Sequence, residues 1–319
     1  MPDVMLIVVG LVALFLGGDA LVRGAARLAS SFGMSPTVVA LTVVAFGTSV
    51  PELLVSVNAA QRGASVLALG NVIGSNIANI GLILGLAAII SPIAVEWRLI
   101  RREIPLLAFV SVVVFVLALD GQISALEGFL MVLGFVAFTL YSYGLAWRER
   151  RRIEPEIEEY NALEGITPPV AVKRPREFAR LALGIVLLGF GAQWTVEGAT
   201  GIARALGMSE LVIGLTLVAF GTSLPELAST LMAAWRKEND IVVGSIIGSN
   251  IANLLAILGV AALVQPVPVA QGALTFQLPV MLGFTLLLAP FLLDRVIQRR
   301  EGAVLLAGYV GFILISFFG

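Results

Sequence analysis

The chain has 319 residues, of which 59% are apolar or aromatic and only 13% are charged, with a net charge of −1 and a mean hydropathy of +1.00. Soluble domains carry about 25% charged residues, so the composition excludes an ordinary pair of soluble domains and indicates a membrane protein. Twenty Lys and Arg against 21 Asp and Glu leave no basic excess for nucleic acid, and the lack of both Cys and His excludes thiol chemistry and the commonest general base, so cations can only be held by oxygen.

A membrane-spanning helix needs about 20 mainly apolar residues. On that rule the sequence predicts an all-α polytopic membrane protein with ten spans, at 4–28, 36–61, 65–91, 103–119, 123–147, 178–204, 210–235, 241–264, 273–293 and 302–318. The start, MPDV, carries no basic n-region, and Arg23 and Arg27 follow the apolar run, so a signal peptide is not expected. Residues 148–177 are rich in charge and Pro and read as a linker too short for a folded domain. The expected divisions are therefore 1–147, the linker 148–177, and 178–319. Eighteen of the twenty Lys and Arg fall on the linker's side, leaving only Arg62 and Arg204 opposite. The positive-inside rule then puts the linker in the cytoplasm and both termini outside the cell or inner membrane.

The chain repeats itself. LTVVAFGTSVPEL at 41–53 returns as LTLVAFGTSLPEL at 215–227, eleven of thirteen positions being identical, and GNVIGSNIAN at 70–79 returns as GSIIGSNIAN at 244–253, eight of ten being identical. Both lie 174 residues apart, and the same offset carries Gly17 onto Gly191 and Gly24 onto Gly198. Five spans per copy is an odd number, so the second copy must cross the membrane in the opposite sense. Inverted repeats with interrupted helices at matching positions point to a secondary transporter with its site near the midplane.

The repeated strings carry the chemistry. Pro51 has no N–H and deprives the carbonyl of Gly47 of its helical partner, as Pro225 does for Gly221. Such oxygens survive in a membrane only where protein, water or an ion satisfies them. Thr48 and Glu52 are four apart and so share a helix face, with Ser49 beside them. Glu52 and Glu226 lie inside long apolar runs, where an ionisable group is read as functional by default. Each copy thus gathers hydroxyls, freed carbonyls and one carboxylate, a ligand set for a hard cation such as Ca²⁺ or Na⁺. Two carboxylates balance one Ca²⁺, and they equally suit Na⁺ or protons. In the second string Gly70 and Gly74, like Gly244 and Gly248, allow close helix approach. Ser75 and Asn79, like Ser249 and Asn253, share a face, while Asn76 and Asn250 point about 100° away and read as packing groups. Asp19 and Arg23 map onto Gln193 and Glu197, keep no charge across the repeat, and read as structural or interfacial.

These paired strings resemble the two alpha repeats of the sodium/calcium exchangers, within the Ca²⁺/cation antiporter superfamily, over the whole chain. The resemblance implies adjacent sites arranged as a diamond, with Glu52 and Glu226 as central carboxylates shared by Na⁺ and Ca²⁺. It implies that Thr48 and Thr222 bind through backbone oxygens and that Ala45 and Ala219 offer carbonyls. Ser49, Ser223, Ser75 and Ser249 would supply hydroxyls, Asn79 and Asn253 would line the middle, and spans one and six would form a sliding gate. Family members carry Asp where this chain has Asn253, which leaves two carboxylates instead of three ionisable groups. The expected function is antiport of Na⁺ against Ca²⁺ by alternating access, with the lipid bilayer and the two transported ions as partners and no cofactor. The alternatives are the same architecture coupled to H⁺ or K⁺, and a cation channel, which the two-fold disfavours. An intramembrane hydrolase built on Ser49 or Ser223 would lack His and any Lys within a span, so an enzyme is not expected. Nothing in the sequence sets an oligomeric state.

Overall fold

The computed structural model describes residues 2–164, 173–207, 219–291 and 294–318. Within them the chain is almost wholly helical, as a membrane requires, because helices satisfy their backbone groups internally. In chain order the helices are α1 (Pro2–Ser31), α2 (Pro36–Thr48), α3 (Val50–Gln61), α4 (Ser65–Ile90), α5 (Leu99–Asp120), α6 (Ala125–Glu164), α7 (Arg174–Ala205), α8 (Ala219–Thr222), α9 (Leu224–Trp235), α10 (Asn239–Val264), α11 (Ala273–Phe291) and α12 (Arg299–Phe318). Seven helices among the described residues are long and apolar enough to cross a membrane, and the bent pair α2–α3 makes an eighth. The span expected at 302–318 lies in α12. Of the span expected at 210–235, residues 210–218 lie outside the described residues and the remainder forms α8 and α9.

The stretch read as a linker departs from expectation. Helix α6 continues through it to Glu164, and α7 begins at Arg174. The run RERRRIEPEIEEYNALE is polar but rich in Arg and Glu, both good helix formers, so polarity there marks the end of the apolar segment and not the end of the helix. Residues 165–172 of the predicted linker lie outside the described residues.

Contacts recur at the 174-residue offset. Two short strands from each half pair across the halves: β1 (Ile93–Ala94) with β4 (Val296–Ile297), and β2 (Gln122–Ile123) with β3 (Val267–Pro268), all antiparallel. The pair Ile93 and Ile297, moved by the offset, becomes Val267 and Ile123, which is the pair seen in the other sheet. Helices α1 and α7 run along each other in the same reciprocal way. A methyl group built on Gly17 falls 2.9 Å from the Leu188 nitrogen, and one on Gly191 falls 2.8 Å from the Leu14 nitrogen. Leu14 and Leu188 are themselves 174 apart, so they mark the centre of the crossing. Glycine is needed here because the two backbones touch.

The middle of the molecule belongs to α4 and α10, whose apolar stretches are 72% and 94% buried, against 22% for α6. Helix α10 lies against α2 through Gly244 and Gly248. A methyl group on Gly244 would fall 2.9 Å from Ala40 Cβ, and one on Gly248 would fall 2.7 Å from Ala45 Cβ and closer still to the Leu41 carbonyl oxygen. Backbone oxygen cannot swing aside as a side-chain tip can, so Gly248→Val is expected to destabilise the fold by about 3 kcal/mol through overpacking. Thermal unfolding in detergent measures this, and Gly283→Val, at a position with no neighbour within 4 Å, is the control.

Candidate functional site

Two broken helices place the repeated residues. Helix α2 ends at Thr48, Ser49 takes φ −84° and ψ 7°, and α3 starts at Val50 with Pro51 in its first turn, bent 45° from α2. In the second half α8 ends at Thr222, Ser223 takes φ −87° and ψ 3°, and α9 starts at Leu224. Thr48 and Glu52 therefore do not share one unbroken helix face, as their spacing suggested. Proline's missing N–H ends one helix and begins the next between them. The break puts Glu52 in the first turn of α3 and Glu226 in the first turn of α9, where the free N–H groups of a helix start favour negative charge.

At the breaks the two halves interlock. Ser49 Oγ donates to Glu226 Oε1 at 2.8 Å, and Ser223 Oγ donates to Glu52 Oε1 at 3.4 Å. Each serine thus serves the glutamate of the opposite half. Glu52 and Glu226 are 1% and 5% exposed, and neither forms an ion pair with Lys or Arg among the described residues. Their second oxygens, Glu52 Oε2 and Glu226 Oε2, are buried without any hydrogen-bond donor, and so are Asn79 Oδ1 and Asn253 Oδ1. A buried acceptor left unpaired costs about 1–3 kcal/mol, and more when charged.

The remaining predicted residues lie on α2, α4, α8 and α10. Ala45 is fully buried, and its carbonyl accepts the Ser49 N–H at 3.1 Å and the hydroxyls of Thr48 at 3.2 Å and Ser249 at 3.3 Å. Thr48 also donates to the Val44 carbonyl at 3.1 Å, and its hydroxyl lies within hydrogen-bond reach of Glu226 in the opposite half as well. Ser75, Ser249, Thr222 and Ser223 are all buried, and Ala219 opens α8. Asn79 and Asn253 each begin a stretch of π-helix, Asn79–Leu84 and Asn253–Ile257. Such wide turns displace carbonyls from the regular ladder and recur at functional sites.

One residue was missed, Asn71. Asn250, expected to be a packing group, is fully buried and accepts a hydrogen bond from Asn79 Nδ2 at 2.9 Å, joining α10 to α4 across the halves. Periodicity separates a protein-facing from a lipid-facing side only where lipid exists, and α10 is enclosed almost all round. Asn76 donates to the Val72 carbonyl of its own helix at 3.0 Å, in keeping with a local role. Asn71 reaches the Glu52 carbonyl at 3.4 Å and Ser56 Oγ at 3.0 Å, bracing α3 behind its carboxylate. Its repeat counterpart is Ser245, so the duplication gave no hint of it.

Two carboxyls without a countercharge among the described residues, two amide oxygens without donors, and a chain without His or Cys leave oxygen as the ligand chemistry available here. Among the described residues no cluster of three or more acidic groups forms, so the fixed charge there is that of Glu52 and Glu226. On one side α7 covers the breaks loosely, leaving a cavity of about 710 Å³ whose walls include Thr48, Pro51, Thr222 and Pro225. On the other side α1 lies tight on α9, where a methyl group on Gly18 would fall 3.1 Å from the Ala228 carbonyl, and Asp19 pairs with Arg236 and, at 3.0 Å, with Arg23.

The sodium/calcium exchanger protein family matches residues 3–144 and 177–318, two stretches again 174 apart. The chain is 35% identical to the sodium/calcium exchanger MaX1 of Methanosarcina acetivorans, over 98% of both chains. It is 37% identical to the inner membrane protein YrbG of Escherichia coli strain K12, over 97% of this chain and 94% of that one. A solved structure of the sodium-calcium exchanger NCX_Mj superposes with a TM-score of 0.85 at 35% identity, covering 99% of this chain and 98% of the other. With the family match running through both halves, and relatives aligned from end to end, this multi-pass membrane protein belongs to the sodium/calcium exchanger family.

Proposed function

We propose that the chain is a secondary antiporter that exchanges Na⁺ for Ca²⁺ at one shared site. The observation that carries this reading is the set of four buried, donorless oxygens, on Glu52, Glu226, Asn79 and Asn253, supplied equally by the two halves. Na⁺ and Ca²⁺ both need these oxygens, so each displaces the other, and an empty site leaves all four without a partner among the described residues. Coupling follows from that competition. The hydroxyls of Ser49 and Ser223 hold one oxygen of each glutamate in place, and Ser75, Ser249, Thr48, Thr222, Ala45 and Ala219 complete the ligand set. With Asn at 253 the site carries −2, enough for one Ca²⁺, and no third proton-binding group is needed.

The finer architecture in this reading is ten spans in two inverted halves, 1–147 and 178–319, with both termini outside and the 148–177 segment cytoplasmic. The reciprocal strand pairs and the reciprocal α1–α7 crossing support the two-fold, and the distribution of Lys and Arg supports the orientation. Exchange of halves between a loose and a tight arrangement then opens the site alternately to the two sides.

Purified protein in liposomes tests the function. Efflux of radiolabelled Ca²⁺ is expected on imposing an opposing Na⁺ gradient, and not on imposing K⁺ or pH gradients alone. Ca²⁺ flux that needs no counter-ion, or that follows H⁺, would overturn the reading.

A further inference from the structure

We infer that Glu197 on α7 is a cation-capturing carboxylate at the outer mouth of the transport pathway, a role with no equivalent at the inner mouth. The inference rests on the exchanger reading above. The cavity beside the broken helices is lined, among the described residues, largely by apolar side chains. Its polar side chains are Thr48 and Thr222 at the breaks and Gln193 and Glu197 on α7. Glu197 is exposed and forms none of the ion pairs found among the described residues. Its position follows from the glycine contacts. The α1–α7 crossing is centred near Leu14 and Leu188, and nine residues at about 1.5 Å each put Glu197 roughly 14 Å along α7 from that centre, toward the outer side. A carboxylate at that level, on the wall of a low-dielectric cleft leading to the site, concentrates cations at the opening.

The other mouth is built differently. The counterpart of Glu197 is Arg23, which is tied to Asp19, and Asp19 is tied in turn to Arg236. One face thus offers a free carboxylate to arriving cations, and the other offers an arginine held in an ionic cluster. The two faces are expected to differ in apparent affinity although both lead to the same buried site.

Vesicles with the protein in a single orientation, assayed from each face, provide the test. Glu197→Gln is expected to raise the half-saturating Ca²⁺ concentration on the outer face about three- to tenfold, and Glu197→Lys more, with the inner face as internal control. The difference from the parent protein should shrink at high ionic strength, because screening removes long-range attraction. Unchanged half-saturation on the outer face, or an equal shift on both faces, would overturn the inference while leaving Na⁺-driven exchange intact. A parent protein that fails to exchange Na⁺ for Ca²⁺ would overturn the functional reading and this inference together.

Discussion

Replacing Glu52 or Glu226 with Gln is expected to abolish Na⁺-driven Ca²⁺ flux while making the ion-free protein harder to unfold. The two effects have one cause. Each glutamate has one oxygen bound to the serine of the opposite half and one with no donor at all, and neither has a basic partner among the described residues. Without a cation, the buried carboxyl pair, each with an oxygen that lacks a donor, is a standing penalty that the fold tolerates for the sake of binding. Glutamine keeps an oxygen to accept from the serine, removes one charge and adds an amide donor. The ion-free protein should gain about 1–3 kcal/mol, the scale of relieving a buried unpaired polar group. Transport should fall below detection, because a site carrying −1 no longer neutralises a divalent ion. A glutamate with a purely structural role predicts the opposite sign, with Gln lowering stability. Flux in liposomes and thermal unfolding in detergent, measured on the same preparations, separate the two.

Ca²⁺ should stabilise the protein strongly, and the stabilisation should vanish in Glu52→Gln. Anything that binds the folded state alone adds RT ln(1 + [L]/Kd), about 2.7 kcal/mol at a hundredfold excess over Kd. For a chain of this size that is a rise of roughly 4 °C in the unfolding midpoint. Here the increment has a structural source, since the ion supplies the partner that four buried oxygens lack. Na⁺ should stabilise as well, and the further gain from Ca²⁺ should diminish as Na⁺ is raised, because both ions occupy the same oxygens. Independent, additive stabilisation by the two ions would show that they bind at separate places and would remove competition as the basis of coupling.

Much of this was legible in the residues. Pro51 and Pro225 announce the two helix breaks, since a missing N–H cannot be compensated within its own helix. Glu52 and Glu226 stand out because charge inside an apolar run needs a reason. The duplication identifies Ser49, Ser75, Asn79 and their counterparts together, where any one alone would read as ordinary helix packing. Other features were hidden. That Ser49 reaches Glu226 and not Glu52 depends on how two halves 177 residues apart in sequence pack against each other. That Asn250 packs against Asn79 in particular was not legible, because the contact joins residues 171 apart in sequence. Helix α6 outran its apolar segment because helix propensity, unlike span length, does not end at the membrane surface. The π-helical turns at Asn79 and Asn253 carry no sequence mark apart from the asparagines themselves.

Local chemistry was thus set by amino-acid order alone: an oxygen-only site, two carboxylates, two helix breaks and a duplicated half, all consequences of composition and short-range geometry. Packing settled which oxygens are left without donors, which half serves which, and where a cavity lies beside the broken helices, with Glu197 on its wall. Those outcomes depend on distances between segments far apart in the chain. Backbone contact at Gly17, Gly191 and Gly248 sets those distances, and no pattern within a single helix encodes it.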